Sequence, residues 1–145
     1  MDVRTPCPFC DITTDVSRVV YQGPTVVAIL SHPRLVPGHL LVMPRRHVIE
    51  PWHLLDEELL AVYRTVQKYQ RLISSKVAPG CDVRQNYRPF SPQDSLKVDH
   101  VLFHLLPRWP GEKDALYRHS MRFEKELFKK LPEAERDKFA DLYTI

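Results

Sequence analysis

No stretch of this sequence stays apolar for long. None of its hydrophobic runs approaches the roughly 18 residues that a membrane-crossing helix needs. The opening residues, MDVRTPCPFCDI, lack the apolar core of a signal peptide, so a cytoplasmic protein with no membrane contact is expected. Cysteine is scarce. The three present cannot all pair, and cytosolic thiols stay reduced. The Cys7–Cys10 spacing therefore needs an explanation other than a disulfide framework. Blocks of like charge are also missing: Lys and Arg are spread along the chain, and the formal net charge is only +3. That balance suits small anions and does not suggest a nucleic-acid coat protein. There are no repeats and no low-complexity segments.

The 145 residues suit a single domain over 1–145, large enough to bury roughly 68–70% of its unfolded surface. Residues 1–12 form a Pro/Cys-rich arm. Arg18–Gln22 and Thr25–Ser31 read as short strands split by Gly23-Pro24. HPRLVPG, 32–38, is a loop, and His39–Met43 is an apolar strand whose pairing Pro44 ends. Asp56 is placed to cap a helix with Leu59, Leu60, Tyr63, Val66, Tyr69, Leu72 and Ile73 on its apolar stripe. Ala78-Pro79-Gly80 closes it. Asp82–Tyr87 and Val98–Leu106 read as strands, with a loop between them. Leu116–Lys130 and Glu133–Leu142 read as helices of a tail over 112–145, the second opened by Pro132. Strands clustered around one inserted helix give an α+β fold with an antiparallel sheet of about five strands.

The segment DHVLFHLLPR, 99–108, carries two histidines in an apolar run. In a strand, His100, Leu102 and His104 share one face. Buried imidazoles must be hydrogen-bonded or ligated, so the pair is either a site or two satisfied core residues. Cys7-x-x-Cys10 has metal-ligand spacing, but a lone pair is half a site. Cys81 reads as a small packing residue. His53 and His119 read as surface residues.

His100-Val101-Leu102-Phe103-His104-Leu105-Leu106-Pro107-Arg108 resembles the signature of the histidine-triad (HIT) family, His-φ-His-φ-His-φ-φ with φ apolar, often followed by Pro-Arg. All positions fit except the middle histidine, which is Leu102. CPFCDI, 7–12, is similar to the Cys-x-x-Cys arm of many bacterial members. LVPGHLLVMPRRHV, 35–48, is similar to the strand that carries the family's fourth active-site histidine, here His39. The resemblance covers most of the chain and is nearest the branch that includes hydrolases of diadenosine polyphosphates.

The resemblance implies a nucleotidyl hydrolase or transferase in which the middle histidine attacks an α-phosphate and forms a covalent intermediate. His104 would orient that nucleophile, and His39 would sit beside the phosphate; these are the catalytic residues implied. Leucine has no lone pair and cannot attack phosphorus. His104 lies about 6.6 Å further along a strand at about 3.3 Å per residue, too far to replace it. Leu102 leaves three accounts: a relative that kept the pocket and lost the chemistry, a chain whose nucleophile was replaced to trap a ligand, or another mechanism.

The same resemblance implies a purine nucleotide or nucleoside phosphate as ligand. It would contact Ile29 and Leu30, with Phe9 or Ile12 nearby, Ser31 with His32 beside it at the ribose, Asn86 at the ribose or phosphate, and His104. Ser31 replaces a carboxylate or amide, and Ser95-Leu96 replaces the family's usual Gly-Gln. Arg88, Gln93, Ser95 and Lys97 are candidates for a triphosphate tail or a different substrate group. Bacterial members hold zinc with two such cysteines and two histidines, which implies a structural zinc on Cys7, Cys10, His47 and His100. Members are commonly homodimers, with Trp52 and Trp109 as candidate interface anchors. Loss of nucleotide binding as well would leave a zinc-stabilised interaction module.

Overall fold

The computed structural model describes residues 7–10, 16–94, 97–111 and 128–144. The chain divides into two compact units, 1–111 and 112–145. The first holds strands β1 (Val19–Gln22), β2 (Val26–Leu30), β3 (Leu40–Pro44), β4 (Gly80–Gln85) and β5 (Phe103–Arg108), and helix α1 (Asp56–Lys76) between β3 and β4. The five strands form one sheet in the order β1-β2-β3-β5-β4, with every neighbouring pair antiparallel. The α+β expectation holds. In the second unit, helix α2 runs over Glu133–Tyr143 after Pro132. The helix expected over Leu116–Lys130 lies, up to residue 127, outside the described residues.

β2 and β3 are apolar at successive positions because both of their faces are covered. On one face Val26, Ala28, Leu40, Val42 and Leu105 pack against Val62, Val66 and Ile73 of α1. On the other, Val27, Ile29, Leu41 and Met43 pack with Phe9, Val19 and Leu102. Each side chain's face follows from the period-two alternation of a strand.

The helix buries a narrower stripe than its sequence predicts. Leu59, Leu60, Tyr63 and Leu72 are exposed, Leu60 and Tyr63 each by 53%. The smaller Ala61 and Val62 let the helix approach the sheet, and the larger residues form a second apolar face. The helix also begins differently. Leu55 is the N-cap and Asp56 is the first helical residue. Glu58 reaches back to accept the Leu55 N–H at 3.0 Å, which satisfies one of the donors that a helix start leaves open. Glu58 is buried, and Arg46 balances its charge through Nε and Nη2 bonds of 2.7 to 3.2 Å. Arg46 Nη2 also donates to His53 O. This fork ties the end of β3 to the first turn of α1.

β5 starts later than the sequence predicts, at Phe103 and not Val98. The His100 N–H turns back to Val98 O, and the Val101 N–H donates to Val48 O at 2.6 Å. Residues 98–102 therefore run beside the segment after β3 instead of pairing with β4. The strand expected over Asp82–Tyr87 likewise sits two residues earlier, at Gly80–Gln85.

One glycine is required by the geometry near the histidines. Gly38 has φ +81°, and a Cβ there would lie 3.0 Å from Pro107 Cγ. The turn it makes leads directly into His39. Gly38→Ala is expected to destabilise the fold by about 1–2 kcal/mol. Equilibrium urea denaturation checks this, and an unchanged midpoint would mean the turn accommodates a side chain.

Candidate functional site: a histidine pair and a Cys/His cluster

β3 and β5 pair with Leu41 opposite His104. This places His39, the residue just before β3, beside His104. His39 Nε2 and His104 Nδ1 are 2.9 Å apart. The proton between them has a definite owner. His39 Nδ1 accepts the Leu35 N–H at 3.1 Å, so Nδ1 carries the lone pair and Nε2 carries the hydrogen. His39 therefore donates to His104 Nδ1, and neutral His104 keeps its hydrogen on Nε2. Among the described residues no group engages that Nε2. The pair is an oriented hydrogen-bond donor.

Both rings favour the neutral form. Burial, the neighbouring His104 and the positive charge of Arg84 depress His39 from the ordinary 6.5 to about 4. Burial lowers His104 too, with Arg84 and Arg88 adding to the effect. Arg84 was not singled out from the sequence. Cys81 and Val83 pack on the α1 face, so Arg84 lies on the other, and its Cα partner across β4–β5 is His104. Only the strand register reveals this neighbour.

A second cluster lies at the other end of the segment. Cys7 Sγ is 3.4 Å from His100 Nδ1, Cys10 Sγ is 3.2 Å from His47 Nδ1, and Cys10 Sγ is 3.7 Å from His100 Nδ1. The four ligand atoms all lie within 4.8 Å of one another. A tetrahedral ion with metal–sulfur distances of about 2.3 Å and metal–nitrogen distances of about 2.0–2.1 Å sets its sulfur and nitrogen donors about 3.5 Å apart. The observed spacings match, so these residues fit a metal ion. His100 Nε2 donates to Pro44 O at 2.8 Å, which leaves Nδ1 unprotonated and aimed at the thiols. Burial comes first and the adjacent Cys7 second in pushing the Cys10 thiol up to about 11, where a cation would favour the thiolate.

Between the two clusters stands Leu102, half-buried against the Ile29, Leu41 and Met43 side of the sheet. The remaining expected contacts divide. Ile29 and Phe9 share the histidine face, and the Phe9 ring meets His100 edge-on at 6.1 Å. Leu30 does not: alternation turns it to the opposite face from Ile29, where it is 42% exposed. The Ser31 hydroxyl donates to Pro33 O at 2.8 Å. Asn86 is exposed just past β4, and Arg88 is exposed. Gln93 accepts the Asp99 N–H. Lys97, expected at a phosphate tail, instead has its ammonium on Ser91 O and Asp99 within its own loop. Ile12, Ser95 and His119 lie outside the described residues. Trp52 is exposed and meets Tyr87 edge-on at 5.1 Å, while the Trp109 indole donates to Val77 O.

The chain belongs to the HIT domain family, which it matches over residues 13–111. It is 29% identical over 112 residues to an uncharacterized HIT-like protein of Methanocaldococcus jannaschii, covering 76% of this chain and 84% of that one. It is 35% identical over 109 residues to the AP-4-A phosphorylase of Mycobacterium tuberculosis, covering 72% of this chain. It spans 55% of that phosphorylase's length. Its fold is similar to that of a zinc-bound histidine triad family protein from Mycobacterium smegmatis, with a TM-score of 0.63, 22% identity, and 90% and 86% of the two chains covered. Among the described residues no helix is long and apolar enough to cross a membrane.

The depressed His39 value makes a pH prediction. The unfolded chain binds a proton at this histidine below about 6.5, while the folded chain resists until about 4. The stability this neutral ring contributes is therefore complete above pH 6.5 and is lost progressively as pH falls toward 4. One proton sets a limit of about 1.36 kcal/mol per pH unit on its slope. Urea midpoints across that window are expected to fall less steeply in His39→Gln than in the parent. Parallel curves would contradict the neutral buried ring.

Proposed function

We propose that this protein binds a purine nucleotide or nucleoside phosphate over the His39–His104 face and has weak or no covalent nucleotidyl hydrolase activity. The observation that carries this reading is Leu102. It occupies the expected nucleophile position as a packed aliphatic residue, two residues from a histidine pair whose hydrogen bonding is intact. The pair presents an Nε2–H, which can bind a phosphate oxygen, and no free lone pair with which to attack phosphorus. Phe9, half-buried on the same face against buried Ile29, provides apolar surface for a base, and Asn86 lies just past the end of β4, the strand that carries Arg84. Residual turnover would need water or another nucleophile, with the donors stabilising charge on phosphorus.

An active hydrolase of dinucleoside polyphosphates or phosphoramidates is the second reading, favoured by the 35% identity to the mycobacterial AP-4-A phosphorylase. Turnover of diadenosine tetraphosphate and an adenosine phosphoramidate separates the two. The parent is expected to be silent, and Leu102→His is expected to gain turnover by several orders of magnitude. Turnover by the parent at a rate comparable with that of the variant would overturn the first reading.

The Cys7, Cys10, His47 and His100 cluster is assigned as a structural zinc site. Thiolate and imidazole donors suit zinc, four protein ligands leave no open position for water, and the bound ion would tie the arm to the end of β3. Zinc at a hundred times its dissociation constant would add about 2.7 kcal/mol of stability. Chelation is expected to lower the melting temperature of the parent and to leave Cys10→Ser, already depleted of zinc, nearly unmoved. Equal zinc content in the two proteins by elemental analysis would remove Cys10 from the site.

The second apolar face of α1, with Leu59, Leu60 and Tyr63, and the outer edge of β4, which no described strand pairs, support a homodimer. Three cysteines outside any disulfide fit a reducing, cytoplasmic location.

A further inference from the structure

We propose that Arg84 is a ligand-binding residue of the histidine face and makes it selective for the phosphate part of the ligand over the nucleoside. The inference rests on the nucleotide-site reading and extends it to a residue outside the histidine signature. Arg84 and His104 are direct partners across the antiparallel β4–β5 pair. Side chains at such positions leave the sheet on the same side, with Cβ atoms about 4.5–5.5 Å apart. The face is fixed independently at both strands. Cys81 and Val83 of β4, and Phe103 and Leu105 of β5, belong to the α1-side core, so Arg84 and His104 face away from it together.

The chemistry of the two groups is complementary. His104 offers a neutral Nε2–H held in one tautomer by the chain Leu35 N–H to His39 to His104. A neutral donor alone does not choose between a phosphate and a sugar hydroxyl. A guanidinium beside it adds permanent charge and a planar fork that fits two phosphate oxygens. Burial first, and Arg84 in addition, opposes positive charge on both histidines, which keeps His104 a neutral donor. Asp82, the one acid of β4, lies 3.2 Å from Arg108 Nη1. The result is a permanent cation beside an oriented donor, over an aliphatic floor that includes Leu102. Such an arrangement can hold a phosphate and gives it no nucleophile.

The test is titration calorimetry of the full chain with adenosine, AMP, ATP and inorganic pyrophosphate, in the parent, Arg84→Gln and Arg84→Lys. His104 ring shifts in NMR spectra report whether the anion reaches the pair. In Arg84→Gln, affinity for AMP, ATP and pyrophosphate is expected to fall by about tenfold to a hundredfold, the range of one charged hydrogen bond. Adenosine affinity is expected to stay unchanged, and Arg84→Lys to recover part of the loss. Equal pyrophosphate and ATP affinities in parent and Arg84→Gln would overturn the assignment even if nucleotides bind well. If pyrophosphate binds through Arg84 and adenosine adds no affinity, Arg84 stands and the nucleotide reading fails. If the parent binds none of the four, both fail.

Discussion

The pairing of β3 with β5 is the constraint on which the rest depends. It joins residues 40–42 to residues 103–105 in antiparallel register. One consequence is the contact between His39 and His104, which are 65 positions apart. Another is that the segment before β5 must pass the end of β3, where His100 meets the Pro44 carbonyl and turns its other nitrogen toward the two cysteines. A slip of one residue would turn every side chain of β5 to the opposite face and separate both clusters. The register is protected because both faces are buried. Leu105 fits the core under α1, while Leu41 and Met43 fill the face that carries the histidines.

The two clusters are kept chemically distinct by what fixes each ring. His100 donates from Nε2 to a carbonyl and offers a lone pair to a metal. His39 accepts a backbone N–H and passes a hydrogen on to His104, which ends as a donor. Identical side chains four positions apart therefore have opposite capabilities. Leu102 lies between them and contributes neither. A histidine there would bring another ring between the Cys/His cluster and the donor pair, whereas leucine adds packing with Phe9 and the β2–β3 floor.

Much of this was legible in the sequence because short-range rules govern it. The period-two alternation, the Gly38 turn and the HVLFHLLPR string locate the sheet and the histidines. The four metal-cluster residues follow from the family resemblance, and the spacings between their donor atoms are those a tetrahedral ion needs. What the sequence hid depends on long-range register or on competition between contacts. Arg84 meets His104 only through the β4–β5 register. The apolar pattern of α1 marks Leu59, Leu60 and Tyr63 as core, but the sheet takes the neighbouring Ala61 and Val62 stripe. The burial of Glu58 depends on Arg46, twelve residues away, and no local pattern marks it. Val98–Val101 has the composition of a strand, yet its backbone bonds to Val48 O and folds back at His100.

The central claim is that this face holds a nucleotide without forming a bond to it. Mass spectrometry of the chain after incubation with diadenosine tetraphosphate tests it directly. One sample is measured under native conditions and one after acid denaturation. The account predicts a non-covalent complex carrying the whole ligand in the first and the unmodified chain in the second. A nucleotidyl adduct that survives denaturation, or a complex that contains only cleaved product, would contradict it.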